Sequence, residues 1–154
     1  MKIAASILIS AAAALMATPA SAQFAKPEDA VKYRQSVMSV MSAHFGRIGA
    51  MVNGKAPYDA KAAVDNAQIV ATMAKLPWPA FSADTEKTSM QNRAKPEVFS
   101  NAAKFKENSE HLMTDTGKLL AAAQTNNLDN LKTAFAATGK TCKSCHDDFR
   151  KEAK

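Results

Sequence analysis

The two cysteines of this 154-residue sequence stand in one short run, Cys142-Lys143-Ser144-Cys145-His146. Thiols at this spacing on a helical turn project to the same side. There they can add to two vinyl groups along one edge of a porphyrin, while the imidazole that follows reaches under the ring to the iron. Cys-x-x-Cys-His is the pattern of c-type haem attachment. It predicts one haem c per chain, covalent through Cys142 and Cys145, with His146 as iron ligand. Covalent tethering retains a cofactor in an exported protein even where affinity alone would not.

Rival chemistries fit less well. A redox-active Cys-x-x-Cys wants a βαβ context, and no strand-like alternation occurs. Zinc would need further ligands at close spacing, and His44 and His111 are too scattered to supply them. A disulfide across so short a span would close a tiny loop and stabilise little. An accidental motif without a cofactor is the remaining alternative. The helix context argues against it: Leu128, Leu131, Phe135, Thr138, Cys145, His146 and Phe149 lie within about 60° of Cys142 at helical period. The motif therefore faces a core. Only eight residues follow His146, so a sixth iron ligand comes from upstream or the iron is five-coordinate.

The elements that must position this motif are all helical by pattern. Glycines number 5, alanine is abundant, and four segments carry helical periodicity. The first spans about Pro27 to Val52, with Pro27 at a first helical position and Glu28 and Asp29 where the helix dipole favours acids. Ala30, Val37, Met38, Met41, Phe45, Ile48 and Val52 share its apolar face, and Arg34 points to the middle of that face. An arginine there needs an anionic partner. Asn53-Gly54 and Pro57 end this helix. The second runs from about Asp59 to Lys75, with a small-residue face of Ala60, Ala63, Val64, Ala67, Val70, Ala71 and Ala74. Ile69, Met73 and Leu76 form a minor strip, a dimer contact or simple burial under the following loop. Leu76-Pro77-Trp78-Pro79 breaks the helix, and a polar loop continues to Lys95. The third spans Pro96 to about Ala123, and the fourth runs from about Leu128 nearly to the end. Two short connections and one long one predict an all-α, antiparallel up-down four-helix bundle.

Residues 1–22 read as a signal peptide: Lys2, an apolar run from Ile3 to Ala17, then Ala20-Ser21-Ala22 as a small-x-small cleavage site. The run is too short for a convincing membrane span. Cleavage after Ala22 leaves 23–154 as one domain, soluble outside the cytoplasm, and the bacterial style of the site points to the periplasm. The formal charge of +6, about +5 after cleavage, comes from lysines scattered among acids rather than from a basic block. That gives no footprint for nucleic acid and suits encounters with an anionic partner protein.

Beyond the haem motif, the chain closely resembles the cytochrome c′ family, the class II c-type cytochromes. The resemblance covers essentially all of 23–154. It rests on Cys142-Lys143-Ser144-Cys145-His146-Asp147-Asp148-Phe149-Arg150 and on Gln23-Phe24-Ala25-Lys26-Pro27-Glu28-Asp29-Ala30-Val31-Lys32-Tyr33-Arg34-Gln35-Ser36, with His44-Phe45-Gly46-Arg47 and Leu76-Pro77-Trp78 in support. It implies a four-helix bundle, usually a homodimer, whose haem is high-spin and five-coordinate and binds NO and CO. It further implies that Met38 closes the distal face, Arg34 lies near the haem propionates, Trp78 packs by the haem, and Arg150 lies near the proximal side. Related low-spin class II cytochromes use a methionine of the first helix as sixth ligand, so Met38 is either distal packing or a ligand. Met41, one turn on, reads as core.

Two functions follow from that choice. With Met38 unligated, the chain is a gas-binding haem protein with slow electron exchange; with Met38 bound, it is a six-coordinate electron carrier for a redox partner protein. An enzyme is not expected, because no acid–base pair or nucleophile accompanies the motif. Asp147 and Asp148 read as solvated charges at a helix end.

Overall fold

The computed structural model describes residues 23–152, so residues 1–22, expected to form a signal peptide, lie outside the described residues. Helix α1 spans Pro27–Val52, as its periodicity predicts, with Pro27 at its start and Glu28 and Asp29 in its first turn. Its amino end is held by side chains of the long loop: Thr88 donates to Glu28 Oε1 at 2.8 Å and Ser89 to the same oxygen at 3.2 Å. Gly54, at φ +69°, turns the chain out of the helix in a conformation that favours glycine. Helix α2 (Ala60–Met73) opens on an Asp59 cap that accepts from the Ala62 amide at 3.0 Å.

The sequence predicts one third helix, but the chain forms two. A single turn, α3 (Glu97–Ser100), is followed by α4 (Ala102–Gln124). Asn101, at φ −122° and ψ 50°, breaks the helical path between them. Asparagine is at home at such helix boundaries because its amide competes with the backbone. Helix α5 (Leu128–Phe149) begins at Asn127, whose side chain accepts from the Asp129 and Asn130 amides.

The four long helices close a bundle in which α1 packs on α2 and α5, and α4 packs on α2 and α5. Ile48, Leu119 and Leu131 are fully buried at its centre. Alanines 63, 67 and 74 of the small-residue face of α2 are likewise buried, which lets neighbouring backbones approach. Toward one end, aliphatic packing gives way to Phe45 stacked on Phe135 at 4.2 Å and then to a cavity. The loop between α2 and α3 forms two 3-10 turns, Trp78–Ala80 and Ala83–Lys87, and folds over that end. Among the described residues there is no strand, only an isolated antiparallel bridge between Ala94 and Arg150. No helix among them is long and apolar enough to cross a membrane.

Candidate functional site

Cys142, Cys145 and His146 lie on the last two turns of α5 and line a cavity of about 770 Å³. That volume falls within the roughly 300–1,000 Å³ usual for cofactor sites. The cavity brings together every residue singled out from the sequence: Arg34 and Met38 from α1, Trp78 from the loop, the two cysteines and His146 from α5, and Arg150 just beyond it. His44 and His111 are not among its lining residues. His44 is instead paired through Nδ1 with Asn66 Oδ1 at 2.8 Å, and His111 is exposed. Met38 and Met41 both line the cavity; Met38 is half-buried, whereas Met41 is buried and also belongs to the core.

One wall is aromatic. The Trp78 indole is fixed by its Nε1–H, which donates to the Ala74 carbonyl at 2.7 Å. Its ring meets Phe105 edge-on at 5.8 Å; Phe105 in turn contacts Phe81 at 4.8 Å and Phe149 at 5.2 Å. Such edge-to-face contacts hold rings at defined angles, giving a flat apolar macrocycle a rigid surface to pack on.

Arg34 is the strongest test of what fills this cavity. It is only 3% exposed. Its Nη1 donates to the Ala80 carbonyl at 2.7 Å and to Thr85 Oγ1 at 2.9 Å, and its Nη2 reaches Asn92 Oδ1 at 3.4 Å. The guanidinium also lies over the Phe81 ring, 4.3 Å from its centre. All these partners are neutral. Burial pushes its pKa down to about 10, still far above neutrality, so the charge persists. A buried charge needs a counter-charge, and the residues lining the cavity include no carboxylate. Haem, an apolar ring bearing two propionates, matches both the aromatic wall and the lone guanidinium.

The ionisable groups of the motif are more open than Arg34: Cys142 and Cys145 are half-buried, and His146 is exposed on one side at the cavity rim. The Cys145 thiol is pushed up to about 11 by burial first, then by Cys142 and Asp148; Cys142 is raised chiefly by burial. Both thiols are therefore protonated at neutral pH. The His146 imidazole is lowered by burial, then by the charges of Arg150 and Arg93, which favours the neutral form that ligates metals.

Sequence reasoning did not find the remaining wall. Phe81, Asn92, Arg93 and Ala94 come from the long loop, which has no periodicity to expose them. Nor did it find Thr85, which is fully buried, donates to the Ser82 carbonyl and offers its oxygen to Arg34.

Comparison with known proteins agrees with this site. The family model described as cytochrome C' matches residues 29–150. The chain is 47% identical over 130 residues to cytochrome c' of Alcaligenes xylosoxydans xylosoxydans, covering 84% of this chain and 99% of the relative. It is 45% identical over 130 residues to cytochrome c' of Rubrivivax gelatinosus, covering 84% and 100%. The crystal structure of the Rubrivivax gelatinosus cytochrome c' superposes with a TM-score of 0.81 at 44% identity, over 84% of this chain and 100% of that one. Solved structures of similar chains include a nitric oxide complex of a variant of Alcaligenes xylosoxidans cytochrome c prime (TM-score 0.78, 45% identity, 84% and 100% covered) and a carbon monoxide-bound variant of it. Proteins of this family carry covalently bound haem c, and here the attachment runs through Cys142 and Cys145. The cavity that gathers two thiols, an imidazole and an unmatched guanidinium, together with a match along nearly the whole described chain, makes this protein a member of the cytochrome c′ family.

Proposed function

We propose that 23–154, released from signal peptide 1–22, works in the periplasm as a five-coordinate, high-spin haem protein that binds NO and CO and exchanges electrons slowly. One observation carries this reading: His146 is the only imidazole lining the cavity, and α1 lines it with the thioethers of Met38 and Met41 rather than with a second imidazole. Bound here, haem supplies an iron that takes small diatomic ligands and exchanges single electrons.

Each side chain has a part. His146 would ligate the iron, its neutral imidazole favoured by desolvation and by two nearby guanidiniums. Arg34, on α1 and anchored to Ala80 and Thr85 of the loop, would hold the propionates. Trp78 would pack against the haem, and Arg150 would lie close to it beside His146. Met38 would crowd the haem with a thioether, which donates no hydrogen bond. Such a group would do nothing to stabilise polar bound O₂ and would tolerate neutral NO or CO. The NO and CO complexes of the Alcaligenes xylosoxidans protein, which is similar along its whole length, support the same ligands here. The relatives this chain matches are cytochromes c', and on that likeness the chain is read as a binding protein and no enzyme.

Two further readings belong to the same proposal. A homodimer is proposed from the family resemblance, with Leu76, 36% exposed at the end of the Ile69, Met73 and Leu76 strip, open to a second copy. The second functional reading makes Met38 the sixth ligand of a low-spin electron carrier; its presence on the cavity wall is the observation in its favour. Titrating the ferrous protein with CO tests the choice. A saturable shift in the haem spectrum at micromolar CO is expected, and no change at saturating CO would overturn the gas-binding reading.

A further inference from the structure

At the carboxyl end of α5 the loop between α2 and α3 pairs with the chain leaving the helix. Lys95 N donates to the Phe149 carbonyl at 2.9 Å, and Lys151 N to the Arg93 carbonyl at 2.8 Å, on either side of the bridge between Ala94 and Arg150. Side chains strengthen the seam: Arg93 Nε donates to the Lys151 carbonyl and Lys95 Nζ to the Asp147 carbonyl, both at 2.7 Å. This seam gathers four cations, Arg93, Lys95, Arg150 and Lys151, and places Arg93 opposite Lys151.

None of the four takes part in an ion pair among the described residues. The carboxylates nearest in sequence are engaged elsewhere, Asp147 with Lys143 and Asp148 with Lys104; Glu152 is exposed and pairs with none of them. Like charges facing each other across a strand pair are destabilising. The seam thus carries a positive rim that no carboxylate pairs with among the described residues. Arg93, Ala94 and Arg150 also line the cavity that holds the Cys142–His146 motif. The rim therefore borders the site from which an electron would leave.

We propose that this rim docks an acidic one-electron partner protein, an inference that rests on the electron-exchange part of the proposed function. Charge complementarity selects the occupant: unpaired cations around a redox site attract an anionic surface and raise encounter rates, an effect that salt screens. One electron crosses the contact from the reduced haem protein to the partner's oxidised centre; no bond forms or breaks and no proton moves.

The test uses the ferrous holoprotein in stopped flow with two oxidants of opposite charge, hexacyanoferrate(III) and tris(phenanthroline)cobalt(III). At roughly 10 mM ionic strength, where the screening length is about 30 Å, K151E should slow oxidation by the anion at least threefold and speed oxidation by the cobalt cation. The double variant R93Q/K151E should do both more strongly, and all rates should converge near 1 M salt. Poly-L-glutamate should slow the anionic reaction of the parent and leave the double variant unaffected. Because Lys151 faces Arg93, K151E should melt no lower than the parent. Rates that move in the same direction with both oxidants would show a changed driving force or a damaged fold, and rates that do not move would show a silent rim; either overturns the docking surface. No oxidation of the parent by either reagent would overturn electron exchange itself.

Discussion

Replacing Arg34 by methionine removes a charge that is 3% exposed and held by neutral groups alone. Two magnitudes are possible, and they separate two pictures of the site. If no anion meets the guanidinium, R34M chiefly strands the Ala80 carbonyl, since Thr85 keeps its bond to the Ser82 carbonyl. An unsatisfied buried acceptor costs about 1–3 kcal/mol, and removing an unpaired buried charge gives part of that back. If a propionate completes the pair, the substitution breaks a buried ion pair, at about 3–5 kcal/mol. Urea unfolding of the holoprotein separates the cases, because a thioether-bound cofactor stays with the chain throughout. With a slope of about 2 kcal/mol per molar, ordinary for small proteins, the predicted loss moves the midpoint down by roughly 1.5–2.5 M. R34K should recover only part of it, since an ammonium lacks the fork that reaches several acceptors. A shift of R34M below about 1.5 M, the range reached without an anion, would refute the pairing of Arg34 with the cofactor.

Other consequences are simpler to state. The double variant C142S/C145S should release its haem into acid-acetone while the parent keeps it, and full retention would contradict attachment at these thiols. Shortening the distal side chain in M38A should raise CO affinity several-fold with the ferric spin state unchanged; a low-spin to high-spin change would instead reveal a Met38–iron bond. Asp115 accepts from Thr141 at 2.7 Å and is held below the usual carboxylate range, first by that bond and also by Lys118. Its stabilisation is therefore complete above the unfolded pKa of about 3.9 and lost as pH falls through the lower folded value. T141V should cost about 1 kcal/mol near pH 6 and less as pH falls below that unfolded value; a cost that does not change with pH would contradict this. At Gly49, an added Cβ would lie 3.0 Å from Phe135 Cζ, and that ring is already stacked on Phe45. G49A should therefore lower the unfolding free energy by about 1 kcal/mol, overpacking outweighing the gain in helix propensity; a stabilised variant would show that the ring can yield.

Much of this architecture is legible in the residues because helices bury stripes. Pro27, Asn53 and Gly54 bracket α1, and the apolar spacing from Ala30 to Val52 names the face that meets the core. The Cys-x-x-Cys-His run points to its own chemistry, and its angular agreement with Leu131, Phe135 and Thr138 predicts that it faces the bundle. Arg34 announces an anion by sitting where a hydrocarbon belongs.

The break at Asn101 is less legible. The apolar spacing from Val98 to Phe105 runs through it, and only the backbone of Asn101, at φ −122° and ψ 50°, interrupts the helix. The loop wall is harder still. Phe81, Thr85 and Asn92 reach the site through contacts spanning dozens of residues, with partners chosen by shape and not by period. Nor does periodicity reveal that the chain past Phe149 leaves the helix and pairs with Ala94. That seam forms only when the loop is already in place.

The electron paramagnetic resonance spectrum of the ferric protein at neutral pH bears most directly on the five-coordinate site. With His146 as the one imidazole on the cavity wall and Met38 unbound, the signal should be high-spin, and the ferrous protein should take up one NO per haem. A low-spin spectrum from the intact parent, abolished in M38A, would contradict the account.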